Sequence, residues 1–131
     1  YMPLHSTEMQ KYETNKIGYS FLNEIDKNRI TVLLHYFDFC DPKIRRIYES
    51  NGLKVICAGM RYTLNDSPSG GRENFLYELI NILQNFDYIL AEEFTTGLFY
   101  AAALGKNICM IPEPNLINVE YSKYTNWMGW W

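Results

Sequence analysis

The tripeptide Thr95-Thr96-Gly97 is the strongest candidate for a ligand site in the sequence. It lies between an apolar segment and the small-residue run LFYAAALG, where a strand is expected to end and a helix to begin. Two hydroxyls and free backbone N–H groups at a helix N-terminus suit a phosphate. An ordinary threonine N-cap on a buried helix explains the same residues without a ligand. The tripeptide is therefore a candidate phosphate site with a purely structural alternative.

Charged residues flank this tripeptide in the predicted topology. Arg61 follows Gly59 closely and is able to pair with a phosphate or a carboxylate, or to remain a solvated loop residue. One carboxylate of the pair Glu92 and Glu93 is able to bind ribose or sugar hydroxyls, as in dinucleotide folds. The alternative for that pair is two solvated side chains. We retain Gly59, Arg61 and Glu93 as candidate substrate-binding residues.

A second group of candidates follows the first predicted parallel strand. His35 and Asp38 are candidates for acid–base chemistry, with a hydrogen-bonded structural histidine and a loop aspartate as the alternatives. Asp41 precedes Pro42, a pair that predicts a helix N-cap with proline at the first helical position. His5 and His35 are the two histidines of the chain, so a histidine-rich metal site is not expected.

These candidates are positioned by apolar strands that alternate with amphipathic helices. Continuous apolar strands separated by helices predict a parallel sheet with right-handed crossovers. The expected fold is α/β, a Rossmann-like three-layer domain with a parallel sheet of about four to five strands flanked by helices. We expect one domain over 1–131, with a lead-in helix in 1–28, an α/β core over 29–114 and an aromatic tail over 115–131. The predicted strands are 29–37, 53–59, 87–93 and 106–114, and the predicted helices are 17–28, 41–50, 73–86 and 95–105.

Composition excludes several classes of protein. A formal net charge of −3 argues against a general nucleic-acid binder, which needs a basic surface. The sequence has no apolar run long enough to span a membrane and no secretion-signal pattern at its start. Three cysteines without metal-ligand spacing favour a reduced, cytoplasmic location. Cys57 and Cys109 lie in apolar runs and are expected to be buried as small hydrophobic residues.

The segments LLHYFDFCD, IYESNGLKVICAG and FDYILAEEFTTGLFYAAALGKNICMIP resemble the C-terminal, donor-binding half of bacterial GT-B glycosyltransferases. The likeness covers roughly 30–112 and is greatest to enzymes of capsule and surface polysaccharide synthesis. Its main elements are a helix, a glycine and a V-x-x-A-G segment at 47–59, and a Ser/Thr/Gly turn that opens a helix ending in A-L-G-K at 95–106. Many relatives have Ser or Gly-Ser at that turn, so Thr-Thr-Gly is a variant.

This resemblance implies a nucleotide-sugar donor as substrate and no metal or other cofactor. The phosphates would bind at Thr95-Thr96-Gly97, with Gly59 and Arg61 bordering the same cleft. His35 and Asp38 would face the cleft between two lobes, which makes them the catalytic candidates. The acceptor-binding lobe that completes such an enzyme has no room in 131 residues and would come from another segment or a partner chain. The full enzyme would associate peripherally with a membrane.

Two alternatives of different classes remain open. Nucleoside 2-deoxyribosyltransferase-like enzymes share an element ending in Ala-Leu-Gly-Lys, present here at 103–106. That alignment puts Gly97 where the nucleophilic glutamate belongs, so Glu92 or Glu93 would have to replace it. The third reading is a non-catalytic nucleotide-binding or protein-interaction module, with homodimerisation through the tail that carries Trp127, Trp130 and Trp131.

Overall fold

A computed structural model describes residues 1–3, 10–12, 25–59, 71–111 and 119–121. This part of the chain is mixed α/β. Its strands are β1 (Gln10–Tyr12), β2 (Thr31–Leu34), β3 (Lys54–Cys57), β4 (Tyr88–Ala91), β5 (Asn107–Met110) and β6 (Val119–Tyr121). Its α-helices are α1 (Tyr36–Cys40), α2 (Pro42–Glu49), α3 (Gly71–Gln84) and α4 (Thr96–Ala103), and a 3-10 turn covers Lys27–Arg29.

The strands form two parallel pairs and one antiparallel pair. β2 pairs with β3 in a register that sets Leu34 opposite Cys57. β4 pairs with β5 and sets Ala91 opposite Met110. β1 and β6 form a separate antiparallel pair. All four strands predicted for the core are therefore present and parallel within their pairs, although each is shorter than its apolar run.

Residues 1–2 hydrogen-bond to both parallel pairs. On one side the Tyr1 amine donates to the Thr31 carbonyl at 2.7 Å, and the Leu33 amide donates to the Tyr1 carbonyl at 2.8 Å. On the other side the Met2 amide donates to the Leu90 carbonyl at 2.7 Å, and a parallel bridge joins Met2 to Ala91. The start of the chain thus runs between β2 and β4.

Alternation of side chains along β2 and β4 divides the apolar interior into two clusters. Val32 and Leu34 lie in a cluster with Tyr48 of α2, whereas Leu33 packs against the other cluster. Ile89 and Ala91 lie in that second cluster, which also holds buried residues of α3 and α4. Since successive strand residues point to opposite faces, the helices cover both faces of these strands.

The helix α2 has the ends that the sequence predicts. The Asp41 carboxylate accepts the Lys43 amide at 2.8 Å, and Pro42 occupies the first turn. Gly52 has a φ of 78°, a left-handed conformation that glycine adopts without steric cost. The predicted cap and stop of this helix are confirmed.

Several predicted boundaries are wrong. The run 29–37 leaves the strand after Leu34, because Tyr36–Cys40 turns into a helix. The predicted burial of Cys109 is also wrong, because every residue of β5 is exposed, including Cys109. The predicted helix 17–28 lies largely outside the described residues, and Lys27 and Asn28 at its end belong to a 3-10 turn. In the described parts, no helix has the length and apolarity needed to cross a bilayer.

Removing the Asp41 cap should destabilise the fold. Asp41→Ala leaves the Lys43 amide without its side-chain acceptor and should lower the free energy of unfolding by about 1 kcal/mol. Asp41→Asn keeps an acceptor oxygen at the same place and should cost much less. Urea denaturation measures both variants, and equal losses would contradict a capping role.

The Tyr1 amine should make stability depend on pH in a polypeptide that begins at Tyr1. Burial lowers the pKa of this amine from 8.0 to about 6. Between those pH values the unfolded chain binds a proton that the folded chain does not. Stability should therefore be greatest above pH 8 and fall by about 2 kcal/mol from pH 8 to pH 6.

Urea denaturation across this pH range measures that slope. Acetylating the amine removes the titrating group and should flatten the slope. An equally steep slope in the acetylated chain would assign the pH dependence to other groups.

Candidate functional site

The turn between β4 and α4 contains the predicted phosphate-binding residues. Thr95 is the N-cap of α4 in an extended conformation, with φ −119° and ψ 163°, and its side chain makes no capping hydrogen bond. Its Oγ1 is buried and has no hydrogen-bond partner among the described residues. Thr96 is exposed at the first position of the helix. The ordinary threonine cap offered as the structural alternative is therefore not formed.

Gly97 brings the start of α4 against residue 2. A Cβ built on Gly97 would lie 2.5 Å from Cε of Met2 and 3.5 Å from Oγ1 of Thr95. Gly97 is itself buried, as are Leu98 and Ala101 on the same helix. The absence of a side chain at position 97 thus lets the first turn of α4 approach the segment that lies between β2 and β4.

The two glutamates before this turn have different environments. Glu92 is buried and accepts a hydrogen bond from the Tyr1 hydroxyl at 2.5 Å. The alternative of two solvated side chains therefore does not hold for Glu92. Glu93 is half-buried and also interacts with its surroundings. Of the two carboxylates, Glu92 has a contact within the fold that explains its burial.

His35 and Asp38 follow β2 and belong to the first turn of α1. His35 is the N-cap of α1, and its ring centroid lies 5.6 Å from that of Phe37. Asp38 is 4% exposed, so it is a buried helical residue rather than the loop residue considered as its alternative. Both residues make interactions within the protein. They stand at the carboxyl end of β2.

Gly59 stands at the end of the neighbouring strand. It is exposed, has a φ of 91°, and a Cβ built on it would meet no atom within 4 Å. Its amide donates to Sγ of Cys57 at 3.2 Å. Arg61 lies outside the described residues. Gly59 therefore offers open space beside the end of β3, and the predicted cation next to it is not placed.

The candidates thus fall at the carboxyl ends of the two parallel pairs. His35, Asp38 and Gly59 follow β2 and β3, whereas Glu93 and the tripeptide at 95–97 follow β4. Sequence reasoning missed one feature of this edge, the Tyr1–Glu92 bond, because a contact between residues 91 positions apart leaves no local pattern in the sequence. Phe94 follows β4 as the sequence predicts, and it is 79% exposed at the turn itself.

Among the described residues, no group of three or more His, Cys, Asp or Glu side chains could hold a metal ion. Comparison with protein-family models, with curated proteins and with solved structures found no match to this chain. The interpretation of the site therefore depends on its own geometry.

The contact between Gly97 and Met2 should appear as an energetic coupling. Gly97→Ala must displace the Met2 thioether methyl, a cost that disappears when Met2→Ala is already present. Gly97→Ala should therefore be more favourable in the Met2→Ala background by about 0.5–2 kcal/mol. Urea denaturation of the four proteins in the double-mutant cycle measures this coupling.

Gly105→Ala is the matched control for this cycle. Gly105 has a φ of 70° and no atom within 4 Å of a built Cβ, so alanine there is strained without touching Met2. Its effect should be the same in both backgrounds. Equal coupling at positions 97 and 105 would contradict a specific contact.

Proposed function

We propose that this chain is the nucleotide-sugar-binding domain of a GT-B type glycosyltransferase of surface polysaccharide synthesis, and that it binds the donor phosphates at Thr95-Thr96-Gly97. The sequence likeness over roughly 30–112 suggests the class of enzyme. The main support for the proposal is the structure of the turn between β4 and α4. Its N-cap hydroxyl makes no capping bond to α4, and that hydroxyl is buried without a partner among the described residues.

An uncapped helix start is suited to an anion. The first N–H groups of a helix have no acceptor within the helix, and together they carry a partial positive charge. A phosphate oxygen accepts hydrogen bonds from such amides and from neighbouring hydroxyls. Thr96 is exposed at this position and α4 is a full eight residues long, Thr96–Ala103. The proposed ligand would thus supply the acceptors that the Thr95 side chain does not.

The hydrogen bonds of residues 1–2 support a single Rossmann-like sheet. We infer the strand order β3, β2, residues 1–2, β4, β5. Helices on both faces of this sheet would complete a three-layer domain. When residues 1–2 are counted as the first strand of this sheet and β2 to β5 as the second to fifth, the order is 3-2-1-4-5. Ligands of such sheets bind beyond the carboxyl ends of the strands where the order reverses. That reversal falls between Met2 and Ala91. The contact of Gly97 with Met2 brings the start of α4 to the same place.

The other candidates take roles consistent with their positions. Glu93 would bind ribose or sugar hydroxyls, because Glu92 is already engaged by the Tyr1 hydroxyl. The exposed ring of Phe94 offers a face on which a base can stack. Gly59 would border the cleft with Arg61, whose guanidinium would neutralise phosphate charge.

His35 and Asp38 are the proposed catalytic residues. They would face the cleft toward an acceptor-binding lobe supplied by another segment or a partner chain. Without that lobe the domain should bind a donor and transfer little sugar. We place the enzyme at the cytoplasmic side of a membrane, in peripheral association, with no metal or additional cofactor.

Donor binding is tested by thermal shift and calorimetry with UDP, GDP, CMP and their sugar conjugates. One of these ligands should raise the melting temperature of the chain, since binding to the folded state alone stabilises it. Replacing both Thr95 and Thr96 with Ala should weaken binding by about tenfold or more, because two hydroxyl partners are lost. Replacing both with Ser retains the hydroxyls and should preserve most of the affinity.

Three outcomes would count against the proposal. No response to any of these nucleotides would overturn it, as would an unchanged affinity in the Ala double variant. Release of free base from a deoxynucleoside would instead favour a deoxyribosyltransferase. Self-association without any ligand response would favour an interaction module.

A further inference from the structure

The strand β5 has an outer edge that no described strand pairs with. Within the described part of the chain, β5 pairs with β4 alone. The amides of Asn107 and Ile111 donate to carbonyls on the β4 side, at 3.0 and 2.8 Å. Alternate residues of a strand direct their backbone groups to opposite sides, so the N–H and C=O groups of Ile108 and Met110 point away from β4. These four groups form the outer edge of β5.

β5 carries none of the residues that usually protect an edge strand. Proteins protect such strands with charged side chains, with proline or with a cover of other segments. β5 has the sequence Asn-Ile-Cys-Met, and each of its residues is exposed. β3, which likewise pairs with a single described strand, begins with the exposed Lys54 and continues with half-buried residues. Of these two strands, β5 is therefore the one suited to pairing with a further strand.

The surface beside this edge is apolar and uncharged. Ile108 and Met110 are 37% and 38% exposed. Their register partners on β4, Ile89 and Ala91, lie in the cluster with α3 and α4, so this side of β5 faces the same helices. On α4, which contains no charged residue, Phe99 is 69% exposed. Because a helix that is apolar on all sides is normally buried, this surface is typical of one that another molecule covers.

The exposed side of α4 is turned toward the edge of β5. Gly97 meets Met2, which lies on the other side of β4 from β5. Phe99 and Ala102 lie roughly opposite Gly97 around the helix, and both are exposed. The helix contacts both β4 and β5. We call this margin of the domain the β5 border, and its exposed apolar residues are Phe99, Ala102, Ile108 and Met110.

We propose that the β5 border is a homodimer interface, in which β5 pairs antiparallel with β5 of a second copy of this chain about a two-fold axis. Such an axis brings the same surface of both copies together, so each free edge supplies the partner that the other needs. An axis perpendicular to the sheet keeps the two α4 helices on one face. The chain has a net charge of −3, so its copies repel each other overall, whereas the β5 border is uncharged.

The outward backbone groups select one register for this pairing. An axis through Cys109 sets Ile108 opposite the partner's Met110, and each such pair exchanges two hydrogen bonds. All four outward groups of each copy are then satisfied. An axis through Met110 would set Ile108 opposite the partner's Pro112, which has no N–H to donate. An axis through Ile108 would set Met110 opposite the partner's Lys106, whose amide already donates to a carbonyl of α4.

The exposed area of the β5 border predicts a dimer of moderate affinity. With about 200 Å² for a large apolar residue, Phe99, Ile108 and Met110 together expose roughly 300 Å². A standard stable interface buries about 800 Å² per partner. Strand pairing and the neighbouring small residues add to the buried area, which stays at the low end of this scale. We therefore expect monomer and dimer to exchange at roughly micromolar concentrations.

The candidate phosphate site stays open in each copy of this dimer. Antiparallel pairing of β5 directs the carboxyl ends of the strands in the two copies to opposite ends of the joined sheet. The two turns at 95–97 therefore lie at opposite ends and do not block each other. The dimer does not depend on donor binding, so either proposal can fail without the other.

Sedimentation velocity of the full chain over a range of concentrations tests the dimer. Replacing both Ile108 and Met110 with Lys sets like charges opposite each other and should weaken the dimer about tenfold or more. Ile108→Lys combined with Met110→Glu is the matched control. Opposite charges then face each other in the register centred on Cys109, so this variant should retain most of the dimer. Circular dichroism should show the same helix content in both variants.

The register is tested by a disulfide across the axis. The two copies of Cys109 would lie opposite each other with Cα atoms about 4.5 Å apart, within reach of a disulfide. In a chain with Cys40→Ser and Cys57→Ser, oxidation by copper phenanthroline should give a covalent dimer on a denaturing gel. Adding Cys109→Ser and Asn107→Cys moves the thiol to another exposed position of β5, about 14 Å from its counterpart. That variant should cross-link far less.

Three results would overturn the proposal. The first is a chain that stays monomeric at every concentration. The second is a dimer that survives the change of both residues to Lys, since it would use another surface, such as the tail that carries Trp127, Trp130 and Trp131. The third is equal cross-linking through positions 107 and 109.

Discussion

The backbone hydrogen bonds of residues 1–2 are the interaction on which the rest of the structure depends. β2 and β4 each carry a row of backbone donors and acceptors on the side facing away from their parallel partners. Buried groups of this kind need partners, since an unsatisfied one costs about 1–3 kcal/mol. The Tyr1 backbone hydrogen-bonds to the Thr31 carbonyl and the Leu33 amide. The Met2 backbone hydrogen-bonds to the Leu90 carbonyl and the Glu92 amide. Two residues thus bring together strand pairs that share no direct ladder.

The side chains of the same two residues connect the interior to the candidate site. The Tyr1 ring lies in the cluster with Tyr48, while its hydroxyl reaches across to the Glu92 carboxylate. Met2 packs in the other cluster and meets the first turn of α4 at Gly97. The position of the helix start is therefore coupled to the packing between the strand pairs. These contacts would also hold the proposed phosphate site at that helix start in position.

Local signals were sufficient for much of the fold. Asp41 before Pro42, and Asn51 before Gly52, predicted both ends of α2, because caps and left-handed glycines act over one helical turn. The four core strands were recognised from continuous apolar runs. The ends of the strands were not recognised, because apolar residues such as Tyr36 and Phe37 occur in a helix as readily as in a strand. Apolar composition likewise failed to reveal that β5 is exposed.

The sequence alone determined that the chain is α/β, that parallel strands alternate with helices, and that threonines and a glycine stand where β4 meets α4. These properties follow from periodicity and capping, which depend on neighbours a few residues apart. Only the tertiary structure decided that residues 1–2 lie between β2 and β4 and that Glu92 is buried against Tyr1. Those contacts join residues far apart in the chain, and their formation depends on how strands pair and helices pack.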